Sequence, residues 1–98
     1  MNKYELLYIL EAKLDDATRE KEIEKVSKQI VKGGGEVELT TKTAPWGLKK
    51  LAYPIDYKKE GFYVLVNFAS PADAIAPLEH SLKLTDNVIR YKVINRHA

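Results

Sequence analysis

The sequence predicts a single α+β domain: a four-stranded antiparallel sheet with two helices packed on one face, in the order βαββαβ. Three observations predict it. Four stretches, residues 3–10, 36–44, 62–68 and 87–95, are rich in branched and aromatic residues or alternate with the period of a strand. Two others carry apolar residues at helical spacing, one after the first strand and one after the third. The chain is 98 residues long, which fits one domain, residues 1–98, and leaves no room for a second.

The first strand ends before Asp15 and Asp16. Their carboxylates offer acceptors to the unpaired amides of a helix start and favour the positive end of its dipole. Ile23, Val26 and Ile30 then form a buried stripe through residue 32, and Gly33-Gly34-Gly35 ends the helix because glycine tolerates left-handed backbone. The charged run over residues 19–28 is the solvated face of that helix, with opposite charges three and four residues apart. In residues 36–44, Val37 and Leu39 face one side while Glu36, Glu38 and Thr40 face the other. Pro45 interrupts the pattern, as an edge strand or a bulge allows. Residues 48–53 resume an extended pattern, Pro54 stops it, and residues 56–61 read as a polar turn.

Residues 62–68 are the clearest strand. Phe62, Val64, Val66 and Phe68 point one way, and Tyr63, Leu65 and Asn67 the other. Ser70-Pro71-Ala72-Asp73 marks the second helix start, with Ser70 as cap, Pro71 where its missing N–H is harmless, and Asp73 bonding back to the Ser70 amide. Ile75, Leu78 and Leu82 supply its buried stripe, and Pro77 is expected to kink the helix or delay its regular part. In the last strand Ile89, Tyr91 and Val93 face one side and Arg90, Lys92 and Ile94 the other. The middle strands form an antiparallel hairpin and each β-α-β half crosses over with the right hand. Both helices therefore fall on one sheet face, the ferredoxin-like arrangement, with strand order 4-1-3-2.

Such a sandwich leaves the other sheet face in water. Here that face is not wholly polar. If Tyr4, Leu6, Tyr8 and Leu10 turn toward the helices, the open side carries Leu7, Ile9, Tyr63 and Leu65 beside the cations Arg90 and Lys92. Apolar surface bordered by cations suits a protein or RNA partner. The alternative is that residues 45–48 fold over the patch and close it.

Composition narrows the classes. Cysteine is absent, which excludes disulfides and thiolate metal sites and fits a reducing compartment. The longest apolar runs, residues 6–10 and 62–66, are too short to span a bilayer, and the N-terminus lacks a signal-peptide pattern, so a cytoplasmic protein without membrane contact is expected. The charge is uneven, with a net of −1 over residues 1–44 and +3 over residues 45–98. His80 and His97 have no zinc-like spacing, and His80 reads as a helix-surface residue. Helix capping explains the Asp15–Asp16 pair. The three glycines follow a helix, whereas a phosphate loop precedes one. No nucleophile–base set is present, so no catalytic residue and no metal site is expected from the residues themselves.

Three segments then resemble a known family in this order: Tyr4-Glu5, the block Trp46-Gly47-Leu48-Lys49-Lys50-Leu51-Ala52-Tyr53-Pro54-Ile55, and Asp86-Asn87-Val88-Ile89-Arg90-Tyr91. Together they resemble the bacterial small-subunit ribosomal protein number six family, across essentially the entire chain. The resemblance implies a ferredoxin-like fold, binding to the central domain of 16S ribosomal RNA, a heterodimer with small-subunit ribosomal protein number eighteen, a ribosome-associated location, and no enzymatic activity, cofactor or small-molecule substrate. Many members carry a polar or acidic C-terminal extension. This sequence ends at Arg96-His97-Ala98, so contacts made by such a tail are not expected of it.

RNA offers phosphates and unstacked bases, which cations and aromatic rings engage. Arg90 leads the candidates, because it lies in the family-like segment and its guanidinium can fork onto a phosphate. Lys92 shares its face. Lys3 and Tyr4 begin the neighbouring strand, Tyr53 sits beside Pro54, and Lys58 follows in the loop. Asn87 either contacts RNA or shapes the turn into the last strand. Trp46, flanked by proline and glycine, is either packed core or an interface anchor; with Leu48, Leu7, Ile9 and Leu65 it is assigned to the partner protein. The basic and aromatic signature of an RNA recognition motif is missing from the strand beginning Gly61-Phe62-Tyr63, so recognition of RNA shape and backbone is expected. A ferredoxin-like small-molecule sensor or a protein-interaction domain without RNA binding is the alternative, and fold alone does not separate them.

Overall fold

The computed structural model describes residues 1–43, 46–55 and 58–96, the side chains of residues 52–55 and 58–59 excepted. Five strands and two helices follow one another: β1 (Asn2–Glu11), α1 (Asp16–Lys32), β2 (Glu36–Thr41), β3 (Gly47–Ile55), β4 (Lys58–Ser70), α2 (Ile75–Leu84) and β5 (Val88–Arg96). The sheet order is β2-β4-β1-β5, every ladder is antiparallel, and β3 also pairs with β4. The expected order 4-1-3-2 is therefore present, with β1 and β4 in the middle.

The additional strand is β3. β2 pairs with the C-terminal half of β4, from Glu36↔Ala69 to Thr41↔Leu65, and β3 continues along the same edge, from Gly47↔Tyr63 to Lys50↔Glu60. β2 and β3 thus lie end to end along a single long partner. This corrects the expected turn at residues 56–61, since β4 already begins at Lys58.

Gly47 sits at the joint. Its φ is +90°, in the region that favours glycine, and an added Cβ would lie 2.6 Å from the Lys42 carbonyl oxygen. Just before it, the Trp46 amide donates to the Thr43 carbonyl at 2.8 Å. Gly47→Ala is expected to destabilise the fold by about 1–3 kcal/mol, read as a lower urea midpoint with an unchanged slope.

α1 begins as its sequence dictates. The Asp15 carboxylate accepts from the Thr18 amide at 2.7 Å, and Ile23, Val26 and Ile30 are buried. At its end the amides of Gly33, Gly34 and Gly35 donate to the carbonyls of Gln29, Val31 and Ile30. Arg19 ties this helix to the sheet. Its guanidinium bonds Asp16 and the Leu14 carbonyl and lies 4.3 Å from the centre of the Phe62 ring.

The second helix starts differently from expectation. Ser70 donates to the Pro71 carbonyl rather than capping, a single 3-10 turn (Ala72–Ala74) follows, and α2 begins only at Ile75. Pro77 then falls in the first turn of α2, where amides lack intrahelical acceptors, so it delays the helix and breaks no bond of it.

One core lies between sheet and helices. Tyr4, Leu6, Tyr8 and Leu10 from β1, and Val64, Val66 and Phe68 from β4, pack against Ile23, Val26 and Ile30 of α1 and Leu78 and Leu82 of α2. Alternation on β2 fails at one point. A bulge between Val37 and Leu39 inserts Glu38 into the ladder. Val37 still packs against the core, but Leu39, expected on the same side, pairs with Asn67 on the other and is 57% exposed.

Candidate nucleic-acid interface

Because the helices cover one face, strand alternation assigns the side chains of the other. Pairing across the sheet orders them in rows. Arg90, Ile9, Tyr63 and Gly47 form the first row, and Lys92, Leu7, Leu65 and Thr41 the second. Ile94, Glu5, Asn67 and Leu39 form the third, and Arg96, Lys3, Ala69 and Glu36 the fourth. Arg90 and Lys92 are exposed on the β5 border, and Leu7, Leu65 and Tyr63 in the middle are half-buried. The expected juxtaposition of an apolar centre and two cations is present, and neither cation turns into the helix layer.

The end of this face near the first row is partly roofed. Trp46 stacks on Tyr63 with ring centres 6.4 Å apart, and the Lys49 ammonium lies 5.4 Å and 4.9 Å from the two rings. Beside them Ile9 packs so closely on Gly61 that no Cβ would fit there, with Leu51 alongside. The two readings of residues 45–48 are thus both partly met: Trp46 covers Tyr63, while Leu7, Leu65, Leu39 and Ile94 keep accessible surface.

At the other end Glu38 crosses the face. As the neighbour of the core-facing Val37 it lies on the open side, where its carboxylate accepts from the Lys3 ammonium and, at 2.8 Å, from Arg96 Nη2. Ala69, in the same row on β4, is small enough to pass beneath. The hydrogen bond from Lys3, joined by that from Arg96, holds the Glu38 carboxyl below the usual carboxylate range. The Thr18 hydroxyl, followed by its amide, does the same for Asp15. Folding thus lowers both values, so their stabilisation is complete above the unfolded value of about 4 and is lost as pH falls through the folded values. A series of urea midpoints is expected to drop below about pH 4, and Glu38→Gln combined with Asp15→Ala is expected to flatten that drop.

Two assignments from sequence are corrected. Tyr4 is only 6% exposed, faces the helices and stacks on Phe68 at 5.5 Å, so its ring is core and does not reach RNA. Ile9 is on the open face but 8% exposed, packed against Gly61, and offers a partner almost no surface. Leu48 is 58% exposed but pairs with Phe62 on the helix side, away from Leu7 and Leu65. Lys3 is on the face with its charge engaged by Glu38. The Asn87 carbonyl accepts from the Glu11 amide at 2.9 Å, which fits its role in the turn. Tyr53 and Lys58 carry strand backbone, and their side chains lie outside the described residues. His80 is exposed on α2. Among the described residues, no three His, Cys, Asp or Glu side chains gather as metal ligands do, and no helix is long and apolar enough to cross a membrane.

The model of the ribosomal protein S6 family matches residues 3–95 of this chain. The chain belongs to the ribosomal protein S6 family. It is 47% identical over 94 residues to small ribosomal subunit protein bS6 of Alkaliphilus metalliredigens, covering 96% of each chain. With the bS6 of Clostridioides difficile it shares 44% identity over 94 residues, covering 96% of this chain and 98% of that one. The crystal structure of 30S ribosomal protein S6 from Thermotoga maritima superposes with a TM-score of 0.89 at 26% identity, covering 97% of this chain and 87% of that one. The S6 family comprises structural proteins of the small ribosomal subunit rather than enzymes, and this chain is one of them, at work where ribosomes are, in the cytoplasm. Two residues of this S6 chain on the open face are not among the candidates drawn from its sequence. Both follow from alternation, Arg96 one step beyond Arg90, Lys92 and Ile94, and Glu38 opposite the core-facing Val37; their meeting depends on tertiary pairing, which no local signal announces.

Proposed function

We propose that this S6 chain binds the central domain of 16S ribosomal RNA together with small-subunit ribosomal protein number eighteen, its heterodimer partner. The observation that carries the reading is the open face: exposed Arg90 and Lys92 on one border of a half-buried apolar strip made by Leu7 and Leu65. Cations on a border draw in the phosphate backbone, and an accessible apolar strip gains by excluding water against a protein. Arg90 and Lys92 are accordingly assigned to RNA, with Lys3, Asn87, Tyr53 and Lys58 as further RNA candidates. Leu7, Leu65 and Trp46 on the open face are assigned to the partner protein, whereas Leu48, on the helix side, stands apart from them. The two jobs meet on one surface, so each ligand is expected to strengthen the other.

The test is a pull-down of a small-subunit RNA fragment with and without the partner protein, titrated with salt. Tighter, salt-sensitive binding with the partner present is expected. Equal binding with and without it overturns the heterodimer reading. Trp46 is the sole tryptophan, so its fluorescence reports docking directly. Trp46→Ala is expected to weaken partner pairing at least tenfold, about 1.4 kcal/mol, in a calorimetric titration of the two proteins.

A further inference from the structure

Lys3 and Arg96 are direct neighbours across β1 and β5, two cations in one row of the open face. Both converge on a single carboxylate, with Lys3 on Oε2 and Arg96 Nη2 on Oε1 of Glu38. That carboxylate reaches them from β2 because Glu38 follows the core-facing Val37 and so lies on the open side, at the bulge between Val37 and Leu39. Glu38 does not exhaust the site. Arg96 Nε is buried and has no acceptor among the described residues. A guanidinium satisfied at Nη2 but not at Nε is half of the fork that grips two oxygens of one oxyanion.

We infer that Lys3 and Arg96 form a phosphate site for the RNA backbone, held in the free protein by Glu38 as an internal stand-in. The inference rests on the RNA-binding reading of the same face and deepens it. A phosphodiester presents two unbridged oxygens, as a carboxylate does. It can take Lys3 and Nη2 from Glu38 and add the bond to Nε that Glu38 leaves unmade. RNA thus displaces an anion already in place, so Glu38 weakens binding and sets a threshold that a free anion of low affinity does not pass. The same carboxylate disfavours any other acidic ligand at that end of the sheet.

The experiment measures binding of a short single-stranded RNA of mixed sequence to the full chain across a salt series, for the natural protein and for Glu38→Gln. The variant is expected to bind about fourfold more tightly at physiological salt. The slope of log affinity against log salt is expected to steepen by about 0.7, one further phosphate neutralised. Adding Arg96→Ala to Glu38→Gln is expected to abolish both gains. Glu38→Ala serves as a second charge-removing variant should the glutamine disturb the bulge. In parallel, the Arg96 Nε–H resonance is followed while RNA or inorganic phosphate is titrated into Glu38→Gln; RNA is expected to shift it at far lower concentration. If the natural chain binds RNA but loss of the Glu38 charge changes neither slope nor affinity, the inference falls and the wider RNA reading stands. If inorganic phosphate moves the resonance as readily as RNA does, the ligand is a free anion and the RNA assignment is overturned. If neither the natural chain nor any variant binds RNA, both readings fall together.

Discussion

Cutting Phe68 back to alanine will cost about 3–5 kcal/mol of stability, a large share of the roughly 5–15 kcal/mol that holds a domain together. Phe68 is fully buried in β4, the strand at the middle of the sheet. Its ring stacks on Tyr4 of β1 with centres 5.5 Å apart, and its backbone pairs with both Tyr4 and Val37. The substitution removes a whole ring from a place that neighbouring strands cannot collapse to fill, because their spacing is fixed by the ladders. Urea unfolding followed by circular dichroism will show a large drop in midpoint with little change in slope. Phe68→Leu refills most of the volume and is expected to recover all but about 1.5 kcal/mol. A loss under about 1 kcal/mol for alanine would mean that Phe68 does not sit in the packed centre of the domain.

Replacing Arg90 and Lys92 together by alanine will weaken RNA binding about tenfold at physiological salt. The salt dependence will flatten by about 1.4, because two phosphates of a single strand are no longer neutralised. Both side chains are exposed on the open face, and the backbone pairing of Arg90 with Ile9 and Lys92 with Leu7 does not depend on them. Stability is therefore expected to change by no more than about 1 kcal/mol. The comparison that matters is the slope. A folded double variant with an unchanged slope places the RNA elsewhere than the β5 border. Arg90→Lys is a finer probe, since it keeps the charge but loses the planar fork. It is expected to retain the slope and lose part of the affinity.

Periodicity makes most of this fold legible. The glycines after α1, the carboxylate before it and the two-residue alternation of β1, β4 and β5 are local signals, and each marks its element. β3 is not legible as a paired strand because its partner is the N-terminal half of β4, where Lys58-Lys59-Glu60 looks like a turn until a neighbour lies alongside. Leu39 falls on the wrong side because counting by two cannot register an inserted residue, and the bulge at Glu38 is an outcome of tertiary pairing. Of the proposed binding residues, Arg90 and Lys92 are readable because alternation alone puts them opposite Tyr91 and Val93. Tyr4 is instructive in the other direction. The same alternation already groups it with Leu6, Tyr8 and Leu10 beneath the helices, and only its position at the start of the strand argues for RNA. Trp46 and Tyr63 lie seventeen residues apart and meet only through the register of β3 on β4.

The central place of β4 has a consequence for the order of events during synthesis. β1, β2 and β3 all precede β4 in the chain, and each of them pairs with it; among the described residues β1 otherwise pairs only with β5, which comes later still. No strand ladder can close until residues 58–70 have left the exit tunnel, whereas α1 needs only its own local bonds. High contact order of this kind slows folding, since long loops must be closed before any pairing rewards them. A nascent chain halted after residue 57 has the parts for a helix and none for a sheet.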